Sequence, residues 1–430
     1  MNSAKRKENI SMKQKRGSRM KQEIKMIEGG ITAAQGFEAA GVEAGVKYKN
    51  RKDMALIYSQ VPCLAAGTFT TNVVKAAPVI WDKQIVETSE YVQAVVVNSG
   101  IANACTGSQG MDACRAEAAA AAKLLQIPET SVLIGSTGVI GMQMPVDRLT
   151  SGIEKLVAAK ADTQEAGLEA AKAIMTTDTV HKQIAVEFEV GGKKAVMGAM
   201  CKGSGMIHPN MCTMLGYITT DVKISKALLQ KALSAAVVDS FNMISVDGDT
   251  STNDTLLILA NGLAGNAEIC EENEDYKIFC SALEYVTVYL ARKMAGDGEG
   301  ATCLFETKVV NAASKQDARI LAKSVICSSL SKAAIFGHDC NFGRFLCALG
   351  YSGVQFDPDR VDLFFEGNGK RIQVFGEGRP MDYSEEEATQ LLSAPEVTVY
   401  VDMHSGDGEA TAWGCDLSYD YVKINADYRS

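Results

Sequence analysis

The 430-residue sequence has no closely paired cysteines and few histidines. Its twelve cysteines are scattered without a C-x-x-C pair, and no secretory signal accompanies them. This pattern is typical of reduced thiols in an intracellular protein, so we expect a cytoplasmic location. The four histidines are isolated from one another and from any cysteine pair, which argues against a structural zinc site. We therefore predict no bound metal.

Excess positive charge and long apolar runs are also lacking. The formal net charge is −9, which argues against general binding of nucleic acid, because phosphate contacts need a basic surface. No apolar run approaches the length that spans a membrane. The hydrophobic content of 47% and the charged content of 22% are ordinary for a globular protein. A chain of this length predicts two domains rather than one small core.

The beginning of the chain departs from this acidic balance. Lysines and arginines recur over residues 1–26 against only Glu8 and Glu23. A disordered basic extension over residues 1–28 is the preferred interpretation. An organelle-targeting peptide is the alternative, because such peptides are basic and poor in acidic residues.

Helix and strand patterns alternate along the rest of the chain. Residues 112–126 are rich in alanine, with Asp112 placed to cap a helix and Pro128 just past its end. Residues 184–190 alternate apolar and charged side chains, as a half-buried strand does. This mixed order predicts an α/β fold in which helices cover sheets. Further helices are predicted over 145–159, 225–241, 275–294, 314–334 and after Ser384, and further strands over 195–200, 255–260, 361–365, 371–375, 397–403 and 421–424.

The run from Lys202 to Gly216 is the most informative stretch of the sequence. It concentrates glycines, a proline and an asparagine just before Thr213, which opens an apolar segment. A threonine hydroxyl is a weak nucleophile unless a base lies beside it, and the free α-amino group of the same residue can be that base. This amine exists only if the chain is cut between Cys212 and Thr213. The residues therefore raise the hypothesis of a processing site with a nucleophilic Thr213.

Three other polar clusters are weaker signals by themselves. Residues 135–141 form a Gly/Ser/Thr-rich turn after an apolar run, which can present N–H groups and hydroxyls to an anion or be a turn without function. Residues 175–179 place three threonines around Asp178, and such residues often only cap helices. Residues 240–254 are dense in carboxylates and hydroxyls. Their spacing does not match a calcium loop, so the wall of an active site is the favoured interpretation.

Together these motifs match one family. The sequence resembles the ornithine acetyltransferases of arginine biosynthesis, also known as bifunctional glutamate N-acetyltransferases, from about residue 30 to the end. So many motifs in the same order argue against a chance match. Besides the clusters above, the resemblance rests on Asn98-Ser99-Gly100, Asn103-Ala104-Cys105-Thr106-Gly107, Asp297-Gly298-Glu299-Gly300-Ala301-Thr302 and the terminal Asn425-Ala426-Asp427-Tyr428-Arg429-Ser430.

The resemblance implies a precursor that cuts itself between Cys212 and Thr213. Residues 29–212 would form the α chain, and residues 213–430 would form the β chain, which begins with the nucleophile. Cys212 stands where the family most often has alanine, and its small side chain should still permit cleavage. The resemblance also implies an α/β/β/α body like that of certain self-processing aminopeptidases, with a smaller C-terminal α/β domain. An α₂β₂ heterotetramer is the implied assembly.

The reaction that the resemblance implies is acetyl transfer from N2-acetyl-L-ornithine to L-glutamate through an ester on Thr213, with ping-pong kinetics. The α-amine of Thr213 would act as the base, since its reference pKa of about 7.7–8.0 lies near working pH. The family match assigns the oxyanion hole to Thr137 and Gly138. No cofactor is implied, and whether acetyl-CoA also donates stays open. The implied substrate-binding set is Thr179, Lys202, the Thr213 main chain, Glu299, Asn425 and Ser430.

Charge gives two members of this set distinct roles. Lys202 suits a substrate carboxylate and Glu299 suits an ammonium group, whereas surface ion pairing is the alternative for both. A self-processed aminopeptidase or amidase stays open as another function; it would use the same Thr213 but pass the acyl group to water. An uncut structural or regulatory protein is a third interpretation. Lys202, Glu299 and Asn425 favour an amino-acid acceptor, and hence acetyl transfer.

Overall fold

A computed structural model of the chain describes residues 24–208 and 214–427. The predicted extension over residues 1–28 lies mostly outside the described residues. Its last part belongs to the fold, because Lys25–Ile27 forms strand β1 and pairs antiparallel with strand β6, Lys182–Val190. This pairing satisfies backbone groups at the edge of a sheet, so the predicted boundary at residue 28 is too late.

One sheet of nine strands makes up the larger body. It folds over along its longest strand, β3, whose first half pairs with β2 and β4 and whose second half pairs with β10. The remaining strands extend the two halves, with β5 beside β4 and with β8, β7, β6 and β1 following β10. The strands of this sheet, besides β1 and β6, are β2 Phe37–Val42, β3 Met54–Phe69, β4 Val92–Asn98, β5 Val132–Ser136, β7 Lys193–Lys202, β8 Leu215–Thr220 and β10 Thr255–Ala260.

The two halves of this sheet pack face to face. Ile57 and Val95 from one half share a core with Tyr217 and Leu257 from the other, and all four side chains are fully buried. Because side chains alternate across a strand, the neighbouring residues point outward and are covered by helices. The first half packs under α2 and α3, and the second half packs under α5 and α6. The helices up to this point are α1 Ala77–Thr88, α2 Ser108–Leu125, α3 Val146–Ala159, α4 Gln164–Ala173, α5 Lys226–Val238 and α6 Glu274–Gly296.

A second sheet of seven strands follows, in the order β14-β13-β12-β15-β11-β16-β9. Helix α6 contacts both β6 of the first sheet and β16 of the second. Leu290 of this helix shares one continuous core with Phe305 and Val399 of the second sheet. The implied α/β/β/α body with a smaller C-terminal α/β layer is therefore confirmed. The elements of this layer are β9 Ile244–Ser245, β11 Leu304–Ala312, α7 Lys315–Cys327, α8 Ser329–Phe336, α9 Phe342–Gly350, β12 Asp362–Gly367, β13 Lys370–Gly376, β14 Arg379–Pro380, α10 Glu385–Leu392, β15 Glu396–Asp402, β16 Gly408–Cys415 and α11 Tyr419–Ala426.

Local predictions are confirmed where one face of an element is buried. The strand predicted over 255–260 has the observed bounds, and Ser384 caps α10 by accepting the N–H of Glu387. Asp112 is not a cap, because α2 begins at Ser108 and Asp112 pairs with Arg115 on the helix surface. The segment 421–424 is helical rather than extended.

The helix predicted over 314–334 is divided into α7 and α8. Ser328 lies between them with an extended backbone, and its side chain accepts the N–H of Ser331. A serine that caps a new helix in this way interrupts the old one, because its side chain replaces a backbone hydrogen bond.

A carboxyl group is buried on helix α2. Glu117 is 1% exposed, and neither of its carboxylate oxygens has a hydrogen-bond partner. Burial raises the pKa of Glu117 from 4.5 to about 8. Below about pH 4.5 the group is protonated in both the folded and the unfolded chain. Between that pH and about 8 the unfolded chain binds fewer protons than the folded one, so the free energy of unfolding falls as pH rises.

Replacing Glu117 by glutamine is expected to remove this pH dependence. Glutamine stays neutral, so the variant should be more stable than the parent at pH 8, by on the order of 3–5 kcal/mol, and should lose this advantage near pH 4.5. Denaturant unfolding at both pH values measures the difference. Glu129→Gln, at an exposed position after the same helix, is the matched control. An equal advantage of Glu117→Gln at both pH values would rule out titration as the cause.

Candidate active site

One cavity of about 310 Å³ gathers side chains from segments that are far apart in the sequence. It opens where strands β5, β7 and β8 end or begin, beside the loop before β10. Five of the predicted site residues line it: Thr137, Gly138, Lys202, Glu299 and Asn425. A cavity of this size suits a small molecule such as an amino-acid derivative.

The turn after β5 brings Thr137 and Gly138 to this cavity. The N–H of Thr137 donates to the carbonyl oxygen of Asn98 at 3.0 Å, and the N–H of Val139 donates to that of Gly100 at 3.1 Å. These bonds fix the turn and leave the N–H of Gly138 without an acceptor among the described residues. The threonine hydroxyl and the free N–H can together stabilise an oxyanion.

Only glycine fits at position 138. Its φ of +131° lies in the region that side chains disfavour. A Cβ atom would also lie 2.3 Å from the carbonyl carbon of Gly100. The close approach of these two backbone segments therefore requires the glycine of the sequence motif.

Lys202 is the one cationic side chain that lines the cavity within the part of the chain that the structure describes. It is 8% exposed, so it is not a surface ion-pairing residue. Its Nζ atom lies 3.4 Å from the Thr137 hydroxyl oxygen. Burial lowers the pKa of Lys202, and the carboxylate of Asp178 offsets part of this effect. A buried cation in such a cavity can bind a substrate carboxylate.

Glu299 reaches the cavity from the segment after helix α6 and is 7% exposed. Its N–H donates to the carbonyl oxygen of Ser204 at 2.8 Å, and its carboxylate accepts the side-chain amide of Asn425 at 2.8 Å. A Cβ atom on Gly205 would lie 2.4 Å from the Glu299 carboxylate, so a glycine leaves room for the carboxylate there. Helix α11 thereby contributes Asn425 to the site.

Part of the polar wall predicted within residues 240–254 faces this cavity. Ser251, Asn253 and Asp254 line the cavity. The side-chain amide of Asn253 donates to the carbonyl oxygen of Ser136 at 2.8 Å, which joins this wall to the turn at Thr137 and Gly138. Asp254 is 1% exposed, and its Oδ2 atom has no hydrogen-bond partner. Burial raises its pKa well above the usual range, although Ser251 and the charge of Lys202 oppose this effect.

Thr176 and Thr177 line the cavity, although in the cluster 175–179 only Thr179 was predicted to bind substrate. The hydroxyl of Thr179 donates to the carboxylate of Asp297, away from the lining. Its role in substrate binding stays a prediction. Asp254 was also missed individually; a carboxylate directly before an apolar strand is the signal that could have marked it.

The remaining predicted residues, Cys212, Thr213 and Ser430, lie outside the described residues. Met214 and Leu215, which follow Thr213 in the chain, line the cavity. The N–H of Thr255 donates to the carbonyl oxygen of Met214 at 2.8 Å, so the start of β8 is anchored beside Asp254.

Two other kinds of site are absent from residues 24–208 and 214–427. No group of three or more His, Cys, Asp or Glu side chains there could hold a metal ion. No helix there is long and apolar enough to cross a membrane.

The layered fold and the cavity with its buried charged side chains are typical of an enzyme that acts on a small molecule. The chain belongs to the ArgJ family, whose model matches residues 38–430. It is 52% identical over 402 residues to the arginine biosynthesis bifunctional protein ArgJ 1 of Clostridium acetobutylicum, covering 93% of this chain and 97% of the relative. It is also 52% identical to the ArgJ protein of Symbiobacterium thermophilum, over 95% of this chain and the whole relative.

Solved structures give partial matches. A Bacillus halodurans ArgJ chain is 45% identical, with a TM-score of 0.47, and covers 49% of this chain and 97% of its own length. An ornithine acetyltransferase of Mycobacterium tuberculosis, complexed with ornithine, is 39% identical, with a TM-score of 0.41, and covers 45% of this chain. Family membership rests on the full-length relatives, and it confirms the resemblance drawn from the motifs. The chain is an acyltransferase of arginine biosynthesis.

Proposed function

We propose that this enzyme moves an acetyl group from N2-acetyl-L-ornithine to L-glutamate through an acetyl ester on Thr213. The observation that carries the proposal is the single cavity that holds Thr137, Gly138, Lys202 and Glu299 together. An oxyanion turn, a buried cation and a buried carboxylate are the groups that an acetylated amino acid requires. Family membership supports the same reaction.

The nucleophile would be generated by a cut in the chain itself. The Thr213 hydroxyl attacks the carbonyl carbon of Cys212, the C–N bond breaks, and water hydrolyses the resulting ester. Residues 29–212 and 213–430 then form the α and β chains, which we propose assemble as α₂β₂. The new α-amine of Thr213 is the base for the transfer reaction.

Transfer would take place in two half-reactions. The α-amine of Thr213 accepts the hydroxyl proton as the oxygen attacks the acetyl carbonyl, and Thr137 and Gly138 hold the oxyanion. The bond to the ornithine nitrogen breaks, and the proton passes to that leaving amine. Glutamate then attacks the ester with its own amine, which restores the Thr213 hydroxyl. The shared ester predicts ping-pong kinetics.

Substrate recognition follows from the charges in the cavity. Lys202 binds a substrate carboxylate, and Glu299, held by Asn425, binds an ammonium group. Thr179, the Thr213 main chain and Ser430 complete the proposed set. No cofactor takes part, and we place the reaction in the cytoplasm.

We propose acetyl-CoA as a second acetyl donor. The relatives in Clostridium and Symbiobacterium are named bifunctional proteins, and a second donor would account for a second activity. Purified enzyme should form N-acetylglutamate from glutamate with either acetylornithine or acetyl-CoA. Activity with acetylornithine alone would restrict the enzyme to the first reaction.

The aminopeptidase or amidase alternative, which the family assignment does not favour, is tested by measuring acetate release from acetylornithine in the absence of glutamate. We expect transfer to glutamate to exceed hydrolysis. Hydrolysis that outpaces transfer would contradict the proposed function.

A further inference from the structure

A fully buried lysine lies behind the cavity wall. The side chain of Lys182, the first residue of β6, is 0% exposed. Its Nζ atom contacts Asp178 Oδ1 at 2.7 Å, Asp297 Oδ2 at 2.5 Å and the carbonyl oxygen of Val180 at 3.3 Å. These acceptors satisfy the three donors of an ammonium group. Burying such charges is costly even when they are paired, so the arrangement calls for a role beyond packing.

The first carboxylate partner is tied to the cavity. Asp178 Oδ1 also accepts the N–H of Gly203 at 2.7 Å, and Gly203 directly follows Lys202. Asp178 Oδ2 accepts the N–H of Thr176, a lining residue, at 3.0 Å. Burial would raise the pKa of Asp178, but the charges of Lys202 and Lys182 and its hydrogen bonds lower it to about 2. Asp178 is therefore an ionised anchor for the main chain at Lys202.

The second carboxylate partner is tied to the other charged side chain of the cavity. Asp297 precedes Glu299 by two residues and accepts the N–H of Thr179 at 3.2 Å. The N–H of Glu299 donates to the carbonyl oxygen of Ser204, which follows Gly203. The segments that carry Lys202 and Glu299 are thus joined directly and through Lys182.

This connection is closely packed. Gly203 has a φ of +151°, and a Cβ atom there would lie 2.9 Å from Ile207 Cδ1 and 3.0 Å from Met294 Sδ. The Thr177 and Ser204 hydroxyl oxygens are 2.7 Å apart. Little room remains for the segment after Lys202 to shift while the ion pairs hold.

We infer that Lys182 is a positioning residue, which with Asp178 and Asp297 fixes the separation of Lys202 and Glu299. The inference rests on the proposed function, in which those two charges bind the substrate. Lys182 and Asp178 precede the proposed cut, whereas Asp297 follows it. The ion pair between Lys182 and Asp297 is therefore also a non-covalent link between the α and β chains.

Lys182→Met tests this role. A displacement of the substrate-binding charges by about 1 Å is expected to lower kcat/KM about 10²-fold, chiefly through the KM of acetylornithine and of glutamate. Lys194→Met is the matched control, because Lys194 lies on the partner strand β7 and its side chain is 78% exposed. The control should keep the parent's kinetic constants. If Lys182 were only structural, its replacement would lower the denaturant midpoint and leave the KM of the folded enzyme unchanged. That result would overturn the inference.

A double variant covers the case in which the single variant does not fold. Lys182→Met with Asp297→Asn removes one buried charge of each sign and keeps an acceptor for Thr179. We expect it to fold, to be cut and to show the raised KM. A folded double variant with the parent's KM, or one that cannot fold, would overturn the inference. If the parent enzyme does not transfer acetyl, the proposed function is contradicted. If the parent is active and Lys182→Met has the same kinetic constants, only this inference is contradicted.

Discussion

Replacement of Thr213 by alanine is expected to leave the chain uncut and to abolish acetyl transfer. Alanine removes the hydroxyl that attacks Cys212, so the α-amine of residue 213 is never released. It also removes the atom that carries the acetyl group. Loss of a nucleophile of this kind lowers kcat by more than about 10⁴-fold. Denaturing gel electrophoresis measures the cut, and N-acetylglutamate formation from acetylornithine measures the transfer.

Two companion variants separate the threonine from its surroundings. Thr213→Ser keeps a hydroxyl and a releasable amine, so it should retain both cleavage and transfer. Cys212→Ala should also be cut, because a small residue before the bond is sufficient. Cleavage or measurable transfer by Thr213→Ala would contradict the assignment of the nucleophile.

Thr137→Val is expected to lower kcat by about 10²–10³-fold while KM changes much less. Valine has nearly the shape of threonine but cannot donate to the oxyanion. The variant therefore loses stabilisation of the transition state and not of the bound substrate. The Gly138 N–H remains as the other donor. Steady-state kinetics with acetylornithine and glutamate measure this separation of kcat from KM.

The control for this prediction is Thr88→Val. The Thr88 hydroxyl lies on an exposed helix end and donates to the carbonyl oxygen of Gln84. The Thr88→Val variant should therefore keep the parent's kcat. A Thr137→Val enzyme with the parent's kcat would show that the hydroxyl is not part of an oxyanion hole.

Sequence patterns predicted elements that bury one face. Strand β6 follows its alternation, with Ile184, Val186 and Phe188 buried. Helix α11 was predicted as extended because it buries no side chain, so its sequence has no apolar period to reveal a helix. The predicted start of α2 at Asp112 was wrong. The helix begins at Ser108, after Gly107, which has a φ of +64° and provides no side-chain cap that the sequence could reveal.

In the candidate site, too, residues in local motifs could be predicted and contacts between distant segments could not. Thr137, Gly138, Lys202, Glu299 and Asn425 lie in short motifs, and family resemblance identified them before the structure placed them around one cavity. The ion pairs of Lys182 could not be foreseen. Its partner Asp297 is 115 positions away, and no local pattern distinguishes a buried lysine on a strand from an exposed one.

The mass of the enzyme after incubation with acetylornithine, in the absence of glutamate, tests the central claim most directly. We expect two pieces, with the C-terminal piece beginning at Thr213 and heavier by one acetyl group. Addition of glutamate should remove that acetyl group and yield N-acetylglutamate. A single intact chain that transfers acetyl, or a C-terminal piece that never carries the acetyl group during transfer, would contradict it.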